Sequence, residues 1–483
     1  MSAPQNADLE AKLEKLECHF TWGLQRDNIK DLDNIPEKLL DRVKFCHRRY
    51  HATYFNILAY VSQLEGNNEA ALEFLGQAET ILRGEDPFSE DSLLVTYANF
   101  AWVYYHIGNL TEVSNYLGKL ESICKGIPRS AQYSAKVPVV YGEKGWAFLR
   151  LGAVFYQSSK ESFQQALHEE PENVSFNIGY AVVLYRLEGL RGRKMNPESS
   201  AAVNQLRKVL QLEPSDSEAM VLLALKLQNV KKEDSLKLVT EALRLSPDVP
   251  QVTRYAAKYF RAAGSVDKSL EILKEAVKLA PHSSFLHHQI GLCYKQQLID
   301  LFQVKKGSRR VPAGDKRALA AQCIYHFKKA VEMKPSNVHA QVNLAEAYGE
   351  NRQLEDAEKI FSDLLGDGTL CDSDRQHCHA NYGLFLMYKK KSELSAIRQF
   401  KIAYKMPVQT PARNLAGRKL KQIAERQLKS KDRVSEGFEM LAFVCTEDKQ
   451  ERKAMEYTMR AKQCDTPSVD SLSSAFTKTM KLE

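Results

Sequence analysis

Residues 254–295 read RYAAKYFRAAGSVDKSLEILKEAVKLAPHSSFLHHQIGLCYK, and their spacing decides the fold. Ala257, Phe260, Gly264, Leu273, Ala276 and Pro281 place small, aromatic, turn-forming and large residues across two helix-length segments. That order belongs to a helix–turn–helix unit that recurs about every 34 residues. Gly291 and Tyr294 open a second unit, which Phe327, Ala330 and Pro335 close. The stretch also holds residues that such a unit does not need. Arg254, Lys258 and Arg261 fall at i, i+4 and i+7, so one helix face carries these cations. Phe285, His288, Gln289 and Lys295 lie on the first helix of the next unit. A solvated surface explains any one of them. Cations, an aromatic ring and amide or imidazole groups on adjacent first helices together suit RNA.

Working outward, the pattern recurs. On the N-terminal side, units hold Ala59, Gly66, Ala71 and Ala78, then Ala101, Tyr104, Gly108 and Leu117. Another closes with Phe163, Ala166 and Pro171. The next starts at FNIGYA and ends at Pro214 after an interruption, GLRGRKMNPESS; one more ends with Ala242 and Pro247. On the C-terminal side come Leu344, Ala345, Tyr348, Ala357 and Phe361, then Gly383, Ala396, Phe400 and Ala403, and lastly Leu441, Ala442, Ala454 and Ala461. About nine tetratricopeptide repeats account for the chain. The predicted fold class is all-α, a tetratricopeptide-repeat superhelix in which small residues let the paired helices approach and first helices line the concave side. The predicted organisation is an N-terminal helical segment at 1–50, with a helix running to Trp22; N-terminal repeats at 51–247; central repeats at 248–404; a basic helical connector at 405–434; a C-terminal repeat at 435–466; and a flexible tail at 467–483. Residues 125–141 read as a linker, and KKGSRRVPAGDKR at 305–317 as a loop.

Composition narrows the function. The formal charge of +8 arises from 68 Lys and Arg against 60 Asp and Glu. So balanced a total predicts a local basic site rather than a basic coat. Nine cysteines without framework spacing, and no hydrophobic leader, predict reduced thiols and a cytoplasmic location. No apolar run approaches the roughly 18 residues that a membrane span needs. GxxxxGK, GxGxxG after a strand, GxSxG and HExxH are all missing, which argues against an enzyme and a bound cofactor. Cys371, His377, Cys378 and His379 cluster in what reads as a linker, without a second pair at zinc spacing, so no metal is expected.

The candidate binding residues are first-helix cations: Lys38, Arg42, Arg150, Arg186, Arg254, Lys258, Arg261 and Lys295. Aromatic residues accompany them at Trp146, Tyr156, Tyr185, Tyr255 and Phe285. Cations follow phosphates and flat rings stack on bases, which is how single-stranded nucleic acid is gripped. Core packing is the competing reading for Trp146, Tyr185 and Tyr255. An arginine inside the superhelix is harder to assign to the core, because a buried cation demands an anion.

The chain resembles the interferon-induced proteins with tetratricopeptide repeats along essentially its whole length. CHFTW at 18–22, NILAYV at 56–61, NFAWVYYH at 99–106, EKGWA at 143–147, FNIGYA at 176–181, LALKLQ at 223–228, RYAAKYFR at 254–261 and SSFLHHQIGLCYK at 283–295 carry the resemblance. It implies a cytosolic antiviral effector that captures foreign single-stranded RNA by its 5′ end in a basic tunnel. The end would be a 5′-triphosphate or an incompletely methylated cap, with family relatives and translation factors as further partners and no DNA. Lys38 and Arg42 would sit near the end group, with Arg150 and Arg186 as phosphate ligands and Tyr156 on the tunnel wall. Arg254, Tyr255, Lys258, Phe285, His288 and Gln289 would hold the first nucleotides, and Trp146 would offer a platform for a cap base. The chain departs from the family pattern in having Arg42 where end-binding members hold glutamine, and Gln251 where triphosphate binders hold tyrosine. Residues 216–218 also lack the asparagine and tyrosine associated with cap contact. A protein-interaction scaffold without RNA is the competing reading.

Overall fold

The computed structural model describes residues 3–29, 32, 35–45, 47–190, 196–303 and 313–465. The regular elements among them are all helices, with no strand. The chain divides into two compact units, Met1–Ala276 and Val277–Glu483.

The first unit contains α1 (Ala3–Leu13), α2 (Ile35–Phe45), α3 (His51–Leu64), α4 (Asn68–Arg83), α5 (Leu94–Ile107), α6 (Leu110–Lys125), α7 (Pro138–Leu151), α8 (Tyr156–Glu169), α9 (Val174–Leu190), α10 (Ala201–Leu212), α11 (Ser217–Leu227), α12 (Lys232–Leu245) and α13 (Pro250–Ala262). The division falls within α14 (Val266–Leu279). Each odd helix from α3 to α11 packs on the even helix that follows it. The first helices also touch one another in order, α3 on α5, α5 on α7, α7 on α9, α9 on α11 and α11 on α13, and α2 lies against α3. A row of first helices therefore shares one side of this unit.

Glycine makes the close approach possible. A Cβ on Gly145 would lie 2.9 Å from the Phe163 ring, and one on Gly179 would lie 2.2 Å from it. Phe163 thus fills the gap between α7 and α9, fully buried. The interhelix turns are closed by Gly66 and Gly108, both at φ +83°, a conformation that costs glycine little. Asn67 and Asn109 then cap α4 and α6 through their side chains.

The second unit contains α15 (Ser284–Gln303), α16 (Ala313–Met333), α17 (Val338–Glu350), α18 (Leu354–Gly366), α19 (Asp372–Tyr388), α20 (Glu393–Lys405), α21 (Pro411–Ser430), α22 (Val434–Glu447) and α23 (Glu451–Asp465). The glycine device recurs: Cβ atoms on Gly291 and Gly383 would meet the rings of Phe327 and Phe400 at 2.5 and 2.6 Å. The basic stretch 405–434 contains α21, which packs on α19, α20 and α22.

Three local expectations change. The N-terminal helix stops at Leu13 rather than reaching Trp22. Beyond it, the Thr21 hydroxyl donates to the Leu16 carbonyl at 2.6 Å and accepts from the Cys18 amide at 3.1 Å. Such side-chain bonds compete with the helix ladder. The loop read at 305–317 ends by Ala313, where α16 begins; its earlier residues, like the tail at 467–483 and residues 191–195 of the GLRGRKMNPESS interruption, lie outside the described residues. His377, Cys378 and His379 belong to α19 rather than to a linker. Cys378 is buried there, His377 pairs with His339 at 3.2 Å, and His379 bonds Gln399 at 2.7 Å. No helix is long and apolar enough to cross a membrane among the described residues.

Candidate nucleic-acid interface

The row of first helices in the N-terminal unit gathers arginines. Arg42 comes from the last turn of α2, Arg150 from the last turn of α7 and Arg186 from α9. All three act on one carboxylate, Glu218, at the start of α11. Arg42 Nη1 lies 3.6 Å from Glu218 Oε2, and both side chains are largely enclosed. Burial would raise the Glu218 carboxyl, but the guanidiniums of Arg42, Arg150 and Arg186 outweigh it and hold the acid below its ordinary range.

Arg150 is gripped mainly by rings. Its Nη2 donates to the Tyr54 hydroxyl at 3.0 Å, and its guanidinium lies over Trp146 at 4.7 Å and Tyr54 at 5.5 Å. Its Nε is buried with no hydrogen-bond partner among the described residues. Burial and the neighbouring Arg42 both disfavour its charge and shift its pKa down. Trp146 is 3% exposed. Its indole N–H donates to Ser175 Oγ at 3.2 Å, and Tyr50 and Phe163 meet it in edge-type contacts.

Arg186 and Arg254 share the hydroxyl of Tyr255. Arg186 Nη2 donates to it closely, and Arg254 Nη2 does so at 3.1 Å. Burial pushes this phenol up, yet Arg254 and Arg186 shift it down on balance. A phenol lowered against its own burial marks strong positive potential. Tyr156 is half-buried and interacts electrostatically with Arg186. Lys258 reaches solvent, but burial together with Arg186, Arg254 and Arg261 lowers its pKa. Arg261 is half-buried further along α13, and Lys38 is exposed one turn before Arg42 on α2. Tyr185 carries the Lys226 ammonium 5.2 Å from its ring centroid and meets Tyr255 edge-on.

The remaining candidates lie in the second unit, on α15. His288 Nε2 contacts Asn343 Nδ2 at 3.0 Å. Lys295 donates to Asn343 Oδ1 at 2.8 Å and forms a close ion pair with Glu346. Gln289 is buried and Phe285 half-buried. The candidate residues therefore comprise a group of cations and phenols in the first unit and polar and aromatic residues in the second.

Sequence reading missed Tyr54 and Glu218. Tyr54 has the look of a core aromatic residue, although its ring and hydroxyl both meet Arg150. An acid in the first turn of a helix is favoured by the helix dipole, so Glu218 gives no separate signal.

A family profile described as a tetratricopeptide repeat matches residues 225–284. The Homo sapiens protein named antiviral innate immune response effector IFIT1 is 38% identical over 455 residues, covering 93% of this chain and 94% of that one. A solved structure, the human IFIT1 dimer with m7Gppp-AAAA, superposes with a TM-score of 0.81 at 36% identity, covering 95% of this chain and 100% of the other. The human IFIT1 dimer with PPP-AAAA gives a TM-score of 0.78 at the same identity and coverage. Identity of this extent along nearly the whole chain places the protein in the family of interferon-induced proteins with tetratricopeptide repeats.

Proposed function

We propose that this protein is an antiviral innate-immune effector that binds foreign single-stranded RNA by its 5′ end and withholds it from translation. The carrying observation is the convergence of Arg42, Arg150 and Arg186 on the single, largely enclosed carboxylate of Glu218. Their charge exceeds what Glu218 can neutralise, and a buried cation without an anion is costly. A 5′-triphosphate supplies the missing charge. Each charge-assisted hydrogen bond to it would contribute about 1.5–3 kcal/mol.

Arg150 and Arg186 are the principal phosphate ligands in this reading, with Arg42 beside them and Lys38 steering the end group inward. Arg254, Tyr255, Lys258 and Arg261 hold the following nucleotides, with Tyr156 as a wall. Phe285, His288, Gln289 and Lys295 give the second unit groups of the kind that stack on bases and bond their edges. Human IFIT1 has been solved with both a PPP-AAAA and an m7Gppp-AAAA RNA. Here the bare triphosphate is favoured, because Trp146 is 3% exposed and carries the Arg150 guanidinium over its ring. The mechanism is sequestration in the cytoplasm. No proton transfer, cofactor or enzymatic step is invoked.

The test is a titration of one short RNA bearing a 5′-triphosphate, a 5′-hydroxyl or a cap with unmethylated ribose, at two salt concentrations. Triphosphate RNA should bind much more tightly than hydroxyl RNA, with a salt slope of about −0.7 per phosphate contact. Arg186→Ala should remove the preference with the helical content unchanged. Equal, weak binding of all three RNAs would instead make the protein a scaffold for other proteins.

A further inference from the structure

Glu218 is held differently from a structural carboxylate in the same unit. Glu188 is buried and both of its oxygens are engaged: Oε1 accepts from the Ala202 amide at 3.0 Å, and Oε2 accepts from Ser200 at 2.7 Å and from Lys226. Glu218 approaches Arg42 only at 3.6 Å, beyond a normal hydrogen bond. Its other oxygen, Oε1, is buried with no hydrogen-bond partner among the described residues. Arg150 Nε is in the same condition. The carboxylate therefore offsets part of the cluster's charge without being fastened to it. That partial offset makes the arginines tolerable in the free protein, while loose bonding keeps the anion replaceable.

The geometry points to Glu218 as the resident anion of this pocket, an affinity-setting residue that occupies the arginines until an RNA phosphate displaces it. This inference rests on the RNA-end reading above and adds a competitor to it. A 5′-hydroxyl brings no charge to exchange, so only phosphorylated ends are in competition with Glu218. Arg42 and Glu218 then act as a pair. The arginine adds a phosphate ligand and the glutamate holds that gain in check.

The test compares wild type, Glu218→Gln, Arg42→Gln and the double variant Arg42→Gln/Glu218→Gln. The readouts are titration with triphosphate and hydroxyl RNA and the melting temperature of the free protein. Glu218→Gln should bind triphosphate RNA about tenfold more tightly, since a like charge in the site is removed. Hydroxyl RNA should be unchanged, and the free variant should melt at a lower temperature than wild type. A looser empty protein with a tighter complex is a combination that a merely structural glutamate does not produce. Arg42→Gln should bind triphosphate RNA more weakly than wild type, and the double variant should recover most of that loss. That second comparison carries the test if Glu218→Gln alone does not fold. If Glu218→Gln binds triphosphate RNA no better than wild type, or the double variant no better than Arg42→Gln, the role of Glu218 falls, and Arg186→Ala still reports on the RNA reading. If wild type shows no preference for the phosphorylated end, both fall together.

Discussion

Arg150 in the N-terminal unit, half-buried, and Arg413 in the C-terminal unit, buried, are both laid over an aromatic ring, and they answer their charge in different ways. Arg413 lies 4.1 Å above Tyr404, pairs with Asp448 at 3.6 Å and donates to the Glu447 carbonyl at 3.2 Å. Asp448 also accepts from the Tyr404 hydroxyl at 2.6 Å, so carboxylate, phenol and guanidinium close on one another. Arg150 has the Tyr54 phenol and ring faces, with Arg42 near enough to disfavour its charge. One arginine is explained by the protein around it. The other shares the single carboxylate of Glu218 with Arg42 and Arg186, and makes sense with a further anion.

The largest expected effect tests this contrast directly. Arg150→Ala should reduce the affinity for triphosphate RNA by at least ~100-fold, about 3 kcal/mol, with little change in melting temperature. Arg413→Ala should do the reverse, costing about 2–3 kcal/mol of stability by leaving Asp448 without its enclosed partner, and sparing RNA affinity. Urea unfolding and RNA titration on both variants check the pair. Two variants that lose stability alike and keep RNA affinity would erase the distinction.

The fold was legible because repeat units write it many times. Gly145, Phe163 and Gly179 mark the close approach of helices in one unit, and Gly291 with Phe327 and Gly383 with Phe400 repeat it in the other. Their spacing is visible in any one repeat. The cations of the site were legible too, since Arg150, Arg186 and Arg254 stand at first-helix positions. What was not legible is how charge is matched across helices far apart in sequence. Arg42 meets Glu218, and Arg186 meets Tyr255, only after several repeats have stacked. Local spacing therefore offers Tyr255 as a stacking ring or a core residue. Its work as the acceptor for two guanidiniums depends on the packing of α9 beside α13's neighbour α11.

Polar groups that bridge elements inside each unit sharpen the comparison at a second level. In the C-terminal unit the amide of Gln376 bridges a loop, its nitrogen donating to the carbonyls of Ala403, Met406 and Val408. In the N-terminal unit the corresponding kind of bridge is an acid. Glu143 accepts from the Thr53 hydroxyl and from Asn56 Nδ2, at 3.0 Å for the latter. Burial pushes its carboxyl up to about 7, against the opposing effect of those two bonds. A folded-state pKa above the unfolded one means that the folded protein holds the proton more tightly. The associated stability is present in full below the unfolded carboxyl's pKa and is lost as pH rises through about 7. Glu143→Gln removes the titration, so it should stabilise the protein by about 2–3 kcal/mol at alkaline pH and change little in acid. Melting curves of both proteins across that range test it. An equal difference in acid and alkali would show that packing rather than ionisation sets the effect.

The smallest expected effect lies in the turns. After a left-handed residue, the next amide bonds back to the preceding helix in both units: Asn109 to the Tyr104 carbonyl at 3.0 Å, Ser265 to Phe260 at 2.8 Å, Gln353 to Tyr348 at 2.9 Å and Gln450 to Cys445 at 2.8 Å. This is the same helix-ending motif each time. The N-terminal unit fills the left-handed position with Gly108 and Gly264, both at φ +83°, whereas the C-terminal unit uses Arg352 at 65° and Lys449 at 57°. A side chain in that conformation costs about 1–2 kcal/mol, which the greater freedom of glycine in the unfolded chain partly offsets. Arg352→Gly should therefore stabilise the protein by about 0.5–1 kcal/mol, and Gly264→Ala should destabilise it by a similar amount. Urea midpoints at constant m-value measure both. If Arg352→Gly lowers the midpoint instead, the arginine side chain contributes more to the folded state than its backbone strain removes, and the two units differ in their surfaces rather than in their turns.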